Sequence, residues 1–302
     1  MPTQSSSLAT LSADVSYLAR DASQSSVALR DRGRWFSGFH WRPDVIVTAA
    51  ELLRARNGAT IAVVTPAQEH VEGTVIGRDL STDIALVRVG ASVPAVTAAT
   101  PAQAALGQMV LTAGRCPHGP TCAIGFVALA GQPWRSMRGG DVGPRIWLDM
   151  RLPSHGEGAA VFDTAGRFLG MSVLGPRRRV LLIPAETIGR VAQELLEHGR
   201  IRRGYLGVSV QAVAVGEMAE SSDAATRTGL MIISLDPKGP AARSALQQGD
   251  IILSFDGNTT ASVRALSGML RNAAPGHSAN IDISRSGSDM RVSVTLGESP
   301  TA

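Results

Sequence analysis

Cys116, His118 and Cys122 fall within seven residues of one another in a Gly- and Pro-containing stretch, and thiolates with an imidazole are the side chains that hold zinc. Their spacing matches no familiar zinc finger, so the same residues also read as plain loop and strand positions. Two cysteines form no disulfide framework and fit a reducing compartment. A second cluster, Arg177-Arg178-Arg179, stands between two apolar stretches. Nucleic-acid recognition needs such cations gathered into a stripe. The 29 Lys+Arg against 25 Asp+Glu leave only +4, spread thinly, so the triplet reads as a solvated loop or hairpin tip and no nucleic acid is expected as a partner.

The elements that must position these residues follow from the apolar rhythm. From Arg34 to Leu182 short apolar runs such as Val45-Ile46-Val47 and Ile84-Ala85-Leu86-Val87 are broken by Gly, Pro, Asn and Asp, the pattern of an all-β barrel or sandwich. Between Pro184 and His198, Ile188, Val191, Leu195 and Leu196 recur at helical spacing, with Gly199 placed to stop a helix. Beyond residue 200, Gly229–Ile233 and Asp250–Phe255 predict strands and Ser262–Asn272 a helix, together a small α+β module. The resulting division is an N-terminal extension at 1–31, a β domain at 32–199 and a second domain at 200–302.

The opening residues are rich in Ser and Thr and reach Tyr17-Leu18-Ala19-Arg20 without an apolar core of signal-peptide length. Elsewhere no apolar run approaches the roughly 20 residues that cross a bilayer. The expectation is a cytoplasmic protein without a membrane partner.

The string Arg203-Gly204-Tyr205-Leu206-Gly207-Val208 resembles the carboxylate-binding loop of HtrA-type PDZ domains. Asp236-Pro237-Lys238-Gly239-Pro240-Ala241-Ala242, Leu246, Gly249-Asp250-Ile251-Ile252 and Asp256-Gly257 follow the same family order. In such loops clustered backbone amides receive a peptide's C-terminal carboxylate while the adjoining strand pairs with the peptide. The resemblance implies carboxylate capture at Gly204, Tyr205, Leu206 and Gly207, with Val208, Val210, Leu266 and Met269 lining the groove and protein or peptide C-termini as partners. A PDZ domain used for intramolecular docking is the other reading.

The preceding domain resembles the trypsin-like, HtrA/Deg-type serine proteases, which implies a mainly β, chymotrypsin-like double β-barrel. Ser37-Gly38-Phe39 resembles the opening strand, in which His40 and Trp41 are packing residues, and Ser81-Thr82-Asp83-Ile84-Ala85-Leu86 matches the aspartate motif intact. In Val47-Thr48-Ala49-Ala50-Glu51-Leu52-Leu53, however, Glu51 stands at the family's histidine. Similarly His155-Gly156-Glu157-Gly158-Ala159-Ala160 replaces Gly-Asn-Ser-Gly-Gly-Pro, placing Glu157 at the serine and removing a glycine and a proline from the oxyanion turn.

Acyl transfer by this mechanism needs a hydroxyl nucleophile, an imidazole and a carboxylate that orients it, and the resemblance leaves only Asp83 in its role. The reading is a pseudoprotease: a peptide-binding or scaffolding subunit with no catalytic residues and no cofactor. Its alternatives are a hard cation held by Glu51, Asp83 and Glu157, acid–base hydrolysis by Glu51 and Glu157, or residual serine-type endopeptidase activity. A simpler account has one carboxylate protonated and the others facing water or a nearby arginine. His155 and Ser154 either serve a rebuilt site or face water as loop residues. The resemblance also implies a homotrimer formed near Arg34, Trp35 and Phe36, or a fixed place in a larger complex through the barrel surface.

Overall fold

The computed structural model describes residues 7–90, 95–96, 103–215 and 227–299. They divide into two compact units, Met1–Ile201 and Arg202–Ala302.

The first unit opens with helix α1 (Ser7–Ala22), whose half-buried Val15, Leu18 and Ala19 pack on the main core. Strands β1 (Ser26–Asp31), β2 (Arg34–Arg42), β3 (Val45–Ala49), β4 (Thr60–Val64), β5 (His70–Asp79) and β6 (Ile84–Val89) close one barrel in the order β1-β2-β3-β6-β5-β4. Strands β7 (Met109–Cys116), β8 (Gly119–Arg135), β9 (Asp141–Asp149), β10 (Ala160–Asp163), β11 (Phe168–Leu174) and β12 (Val180–Pro184) close the second as β10-β11-β12-β9-β8-β7. Both barrels are antiparallel. Residues 26–31 are part of the first barrel: β1 pairs with β2 from Ser26↔Phe39 to Asp31↔Arg34 and with β4, and its Val27, Ala28 and Leu29 are fully buried.

The barrels share a core because aromatic rings bridge them. Phe168 of β11 stacks on Phe39 and Trp41 of β2, with ring centroids 5.2 and 6.0 Å apart, and on Phe162 of β10 at 5.8 Å, all within the range of favourable tilted pairs. Helix α2 (Ala185–His198) covers this core with Ile188, Val191, Ala192 and Leu195. It ends where Gly199 adopts φ 69° and donates its N–H to the Leu195 carbonyl at 2.8 Å, the left-handed cap that a glycine supplies without strain.

The second unit contains β13 (Gly204–Tyr205), β14 (Val208–Val215), β15 (Arg227–Leu235), β16 (Ile251–Phe255), β17 (Asn258–Thr259), α3 (Val263–Asn272), β18 (Ser278–Arg285), β19 (Ser288–Thr295) and β20 (Gly297–Glu298). Its main sheet runs β14-β15-β16-β18-β19, with β17 beside β16, while β13 pairs with β20. Ser262 caps α3 by accepting the Ala265 N–H at 3.1 Å. The module is fastened by Asp250, whose side chain is 1% exposed, through a two-pronged bond to Arg285 at 2.7 and 2.8 Å and the Gln247 N–H at 2.7 Å.

Burial opposes the charge on Asp250, but Arg285 and the Gln247 N–H outweigh it and hold the carboxyl below its usual range. The charge therefore adds stability above about pH 4 that is lost as pH falls through the lowered pKa. Replacing Asp250 by Ala removes its bonds to Arg285 and the Gln247 N–H, leaving the guanidinium its bond to the Ala245 carbonyl, and should cost about 1–3 kcal/mol. Hydrogen exchange followed by mass spectrometry should show the loss of protection concentrated in β16 and β18; an unchanged exchange pattern would refute this role.

Candidate functional site

Asp83 sits in the turn between β5 and β6. Asp79 shapes that turn, its carboxylate accepting the Ser81 N–H at 3.0 Å and the Thr82 hydroxyl at 2.7 Å. Asp83 itself takes φ 60°, a left-handed conformation that aspartate tolerates better than most residues. Its Oδ1 accepts the backbone N–H of Glu51 at 2.7 Å, and its carbonyl accepts the Ala50 N–H at 3.2 Å. The Asp83 carboxylate is thus tied to the backbone of Glu51.

Glu51 follows β3 and points its exposed carboxylate toward the tip of the β8–β9 hairpin, where Arg138 Nη2 approaches Oε1 at 3.4 Å. The same tip is pinned beside Asp83 by the Ser136 hydroxyl, which donates to the Ser81 carbonyl at 2.6 Å.

Glu157 lies between β9 and β10, after a turn in which His155 adopts φ 65° and the Gly156 N–H donates to the Pro153 carbonyl at 3.0 Å. Gly158, at φ 86°, donates to the Ser172 carbonyl at 2.8 Å, and a Cβ there would meet the Ser37 carbonyl at 2.3 Å, so the position admits only glycine. Glu157 Oε1 accepts the Leu174 N–H at 3.1 Å. The structure brings Glu51, Asp83 and Glu157 within electrostatic reach of one another. Burial, reinforced by the two glutamates, pushes the Asp83 carboxyl up to about 7 against the opposing Glu51 and Ala50 N–H bonds. Burial also raises Glu157, offset by the Leu174 N–H and by Arg34 and Arg178.

A hard cation needs several oxygens converging on one point. The oxygens of Glu51, Asp83 and Glu157 do not all fall within 4.8 Å of one another; among the described residues that is true only of ligand atoms from Glu194, Glu197 and His198 on α2. As placed here, the three carboxylates form no preformed cation site. Cys116 pairs with Gly119 and Cys122 with Ala113 along the β7–β8 hairpin, which separates them as free thiols. His155 turns its Nδ1 to the Trp35 carbonyl at 3.0 Å, and Ser154 is exposed. His40 is fully buried, with Nδ1 on the Pro43 carbonyl at 3.1 Å, and Trp41 belongs to the aromatic bridge. The arginine triplet is more than a solvated tip: Arg179 lies 4.4 Å over the Trp147 ring and Arg178 acts on Glu157.

In the second unit Leu206 is buried at 1% exposure and Gly207 takes φ 79°. Val208, Val210 and Met269 pack half-buried on the core that contains Leu266, placing β14 against α3. Tyr205 donates its hydroxyl to Asp236 Oδ2 at 3.0 Å. Gly204 departs from the carboxylate-capture assignment, because its N–H is already donated to the Ala273 carbonyl at 2.9 Å and is not free for a ligand.

A trypsin-like peptidase domain model matches residues 36–171, and a PDZ domain model matches residues 204–296. The chain is 29% identical over 240 residues to a probable periplasmic serine endoprotease, DegP-like, of Halomonas elongata, covering 76% of this chain and 50% of that protein. A protein of the same name from Bartonella henselae is 29% identical over 279 residues, covering 87% of this chain and 53% of the relative. The chain is a homologue of the DegP/HtrA serine endoproteases.

The DegP/HtrA homologue spans about half the length of these curated relatives. Its fold is shared with the serine endoprotease from Yersinia pestis, with a TM-score of 0.72 at 22% identity, covering 94% of this chain and 98% of that one. It is shared equally with the HtrA-type protease AlgW with decapeptide, with a TM-score of 0.70 at 21% identity, covering 95% and 99%. The cytoplasmic expectation is corrected by the relatives, which are named periplasmic. It rested on the first residues and on a cysteine count, and neither is a physical requirement of a compartment.

Sequence reasoning did not single out Arg138 or Ser37, or name Arg34 and Arg178 as partners of Glu157. Arg138 and Arg178 meet the site from a hairpin tip and a turn, and Arg34 and Ser37 from β2, through contacts between residues far apart in the chain.

The raised Asp83 pKa has a signed consequence. The folded state keeps this proton more tightly than the unfolded chain, so stability is highest at low pH for this group and is lost as pH rises from about 4 through 7. At about 1.4 kcal/mol per tenfold change in proton affinity, the whole loss is on the order of 4 kcal/mol, of which about 2–3 kcal/mol falls between pH 5 and pH 8. Urea denaturation at pH 5 and pH 8 should show that Asp83→Asn removes this part of the pH dependence; a variant with the same slope as the parent would disprove it.

Proposed function

We propose that this DegP/HtrA homologue binds peptide segments without hydrolysing them. The observation that carries this reading is Glu157, which stands where the resemblance calls for a hydroxyl nucleophile and whose carboxylate accepts the Leu174 N–H at 3.1 Å. Glu51, in the histidine position, faces Arg138 instead of serving as a proton shuttle. Without both groups acylation has no nucleophile and no base, a loss of about a million-fold in a well-studied serine protease.

Peptide capture is assigned to the PDZ unit. Among the described residues β14 is the terminal strand of its sheet, so one side of its backbone is offered to an added strand. The carboxylate is received at the loop of Leu206 and Gly207, which Tyr205 braces through Asp236, and the peptide side chains lie on Val208, Val210 and Met269, with Leu266 as the buried floor. The decapeptide named with AlgW supports a peptide ligand for this architecture. A homotrimer, or a fixed place in a larger complex through the barrel surface, belongs to the same reading.

Two measurements test it. The full-length protein should take no covalent label from a fluorophosphonate probe and release no product from unfolded casein; labelling would overturn the non-catalytic reading. Met269→Asp puts a charge into the half-buried groove without removing a fully buried side chain, and should weaken binding of a C-terminal peptide selected from a library by roughly tenfold. Equal affinity, measured by fluorescence anisotropy with an unchanged circular dichroism spectrum, would move the binding site elsewhere.

A further inference from the structure

The cleft beside Glu157 has a volume of about 720 Å³, within the size range of ordinary ligand sites. Its walls are mixed and mostly polar: Trp35, Phe36, Leu152, Leu174 and Val180 form an apolar part, and three arginines also line it. Arg34 comes from the start of β2, Arg151 follows β9, and Arg178 stands in the turn between β11 and β12, so three separate elements deliver cations to one space. Against them the cleft sets a single carboxylate, Glu157, whose Oε1 is already engaged by the Leu174 N–H. The charge of the lining is therefore unbalanced by two even with Glu157 ionised.

All three arginines are exposed, so they remain hydrated and free to turn toward an incoming group. Arg178 is also held by a compact turn: its φ is 58°, its own N–H donates to the Gly175 carbonyl at 3.1 Å, and the Gly175 N–H donates to the Arg179 carbonyl at 2.8 Å. That turn fixes the backbone from which the guanidinium reaches into the cleft.

We infer that this cleft is a second ligand site, which takes the carboxylate of an aspartate or glutamate side chain from an extended protein segment. The arginines supply planar donors matched to a carboxylate, and the apolar part of the wall at Trp35, Phe36 and Leu152 takes up a residue beside it. This volume is larger than one acidic side chain fills, which favours a segment over a small free acid. The site is separate from the PDZ groove in chemistry, because it selects an internal acidic residue and needs no free C-terminus. It rests on the non-catalytic reading insofar as the bound segment leaves uncut.

The probe is a fluorescein-labelled heptapeptide with a central Glu flanked by Leu and Val and a C-terminal amide, which denies the PDZ loop its carboxylate. Anisotropy titration against the full chain should show binding that is at least several-fold weaker for the Gln counterpart and falls as salt is raised from 0.05 to 0.5 M. Arg34→Ala and Arg178→Ala should each weaken binding about two- to fivefold, the range of exposed ion pairs, whereas Glu157→Gln should strengthen it by a similar factor. These opposite signs separate a binding role from a structural one. Equal affinity for the Glu and Gln peptides, or weakening by Glu157→Gln with an unchanged circular dichroism spectrum, would overturn the proposal. Free glutarate competing as strongly as the peptide would overturn the assignment to a protein side chain. Mass spectrometry of the recovered peptide distinguishes the two readings: a cleaved peptide sinks the non-catalytic function and leaves the acidic site standing.

Discussion

The turn that carries Glu157 is held against the first barrel by one small residue. Ser37, fully buried in β2, donates its backbone N–H to the Glu157 carbonyl at 3.0 Å and its hydroxyl to the His155 carbonyl at 2.7 Å. It also accepts the Thr48 hydroxyl on its carbonyl at 2.7 Å and the Arg115 N–H on its hydroxyl at 3.0 Å. Such close approach requires neighbours without side chains: a Cβ on Gly114 would come within 2.6 Å of the Ser37 oxygen, and one on Gly158 within 2.3 Å of its carbonyl. Buried polar groups are costly unless paired, so this lattice of bonds fixes the Glu157 turn whatever side chain it presents.

That constraint separates framework from chemistry. The backbone atoms of residues 155, 157 and 158 hold the site together, while the Glu157 side chain is free to be something other than a nucleophile. The same holds at Asp83, whose carboxylate grips the Glu51 backbone and is indifferent to the side chain beyond it. Placing glutamates at both positions then creates an electrostatic problem that the framework does not cause. Arg138 meets Glu51 across the hairpin tip, Arg34 and Arg178 act on Glu157, and Asp83, the most enclosed of the three, is left with the strongest tendency to keep its proton.

Much of this was legible in the sequence where local pattern and tertiary structure agree. The helical spacing of Ile188, Val191 and Leu195 before Gly199 marked α2 because the stripe is broad and its stop chemically specific. The PDZ loop was readable as a string because its geometry is local. Helix α1 was not, since its packed residues form a narrow stripe while Leu8, Leu11 and Tyr17 point outward at 50–75% exposure, which blurs the period. Its neighbour β1 is short and follows a run of serines. Nor does any string of letters say that the Gly204 N–H is already taken by Ala273, for that bond joins residues far apart in the chain.

The two candidate ligand sites differ in what part of the protein recognises the ligand. At β14 the proposed recognition is by backbone, which is insensitive to most substitutions. At the Glu157 cleft it is by side chains on a backbone fixed for another purpose, so a few arginines suffice to redirect it. A framework stabilised by main-chain bonds can lose an imidazole and a hydroxyl without losing its cleft. What then decides the cleft's use is the sign of the charge around its mouth, and here three exposed guanidiniums surround a single carboxylate that is itself turned toward a backbone amide.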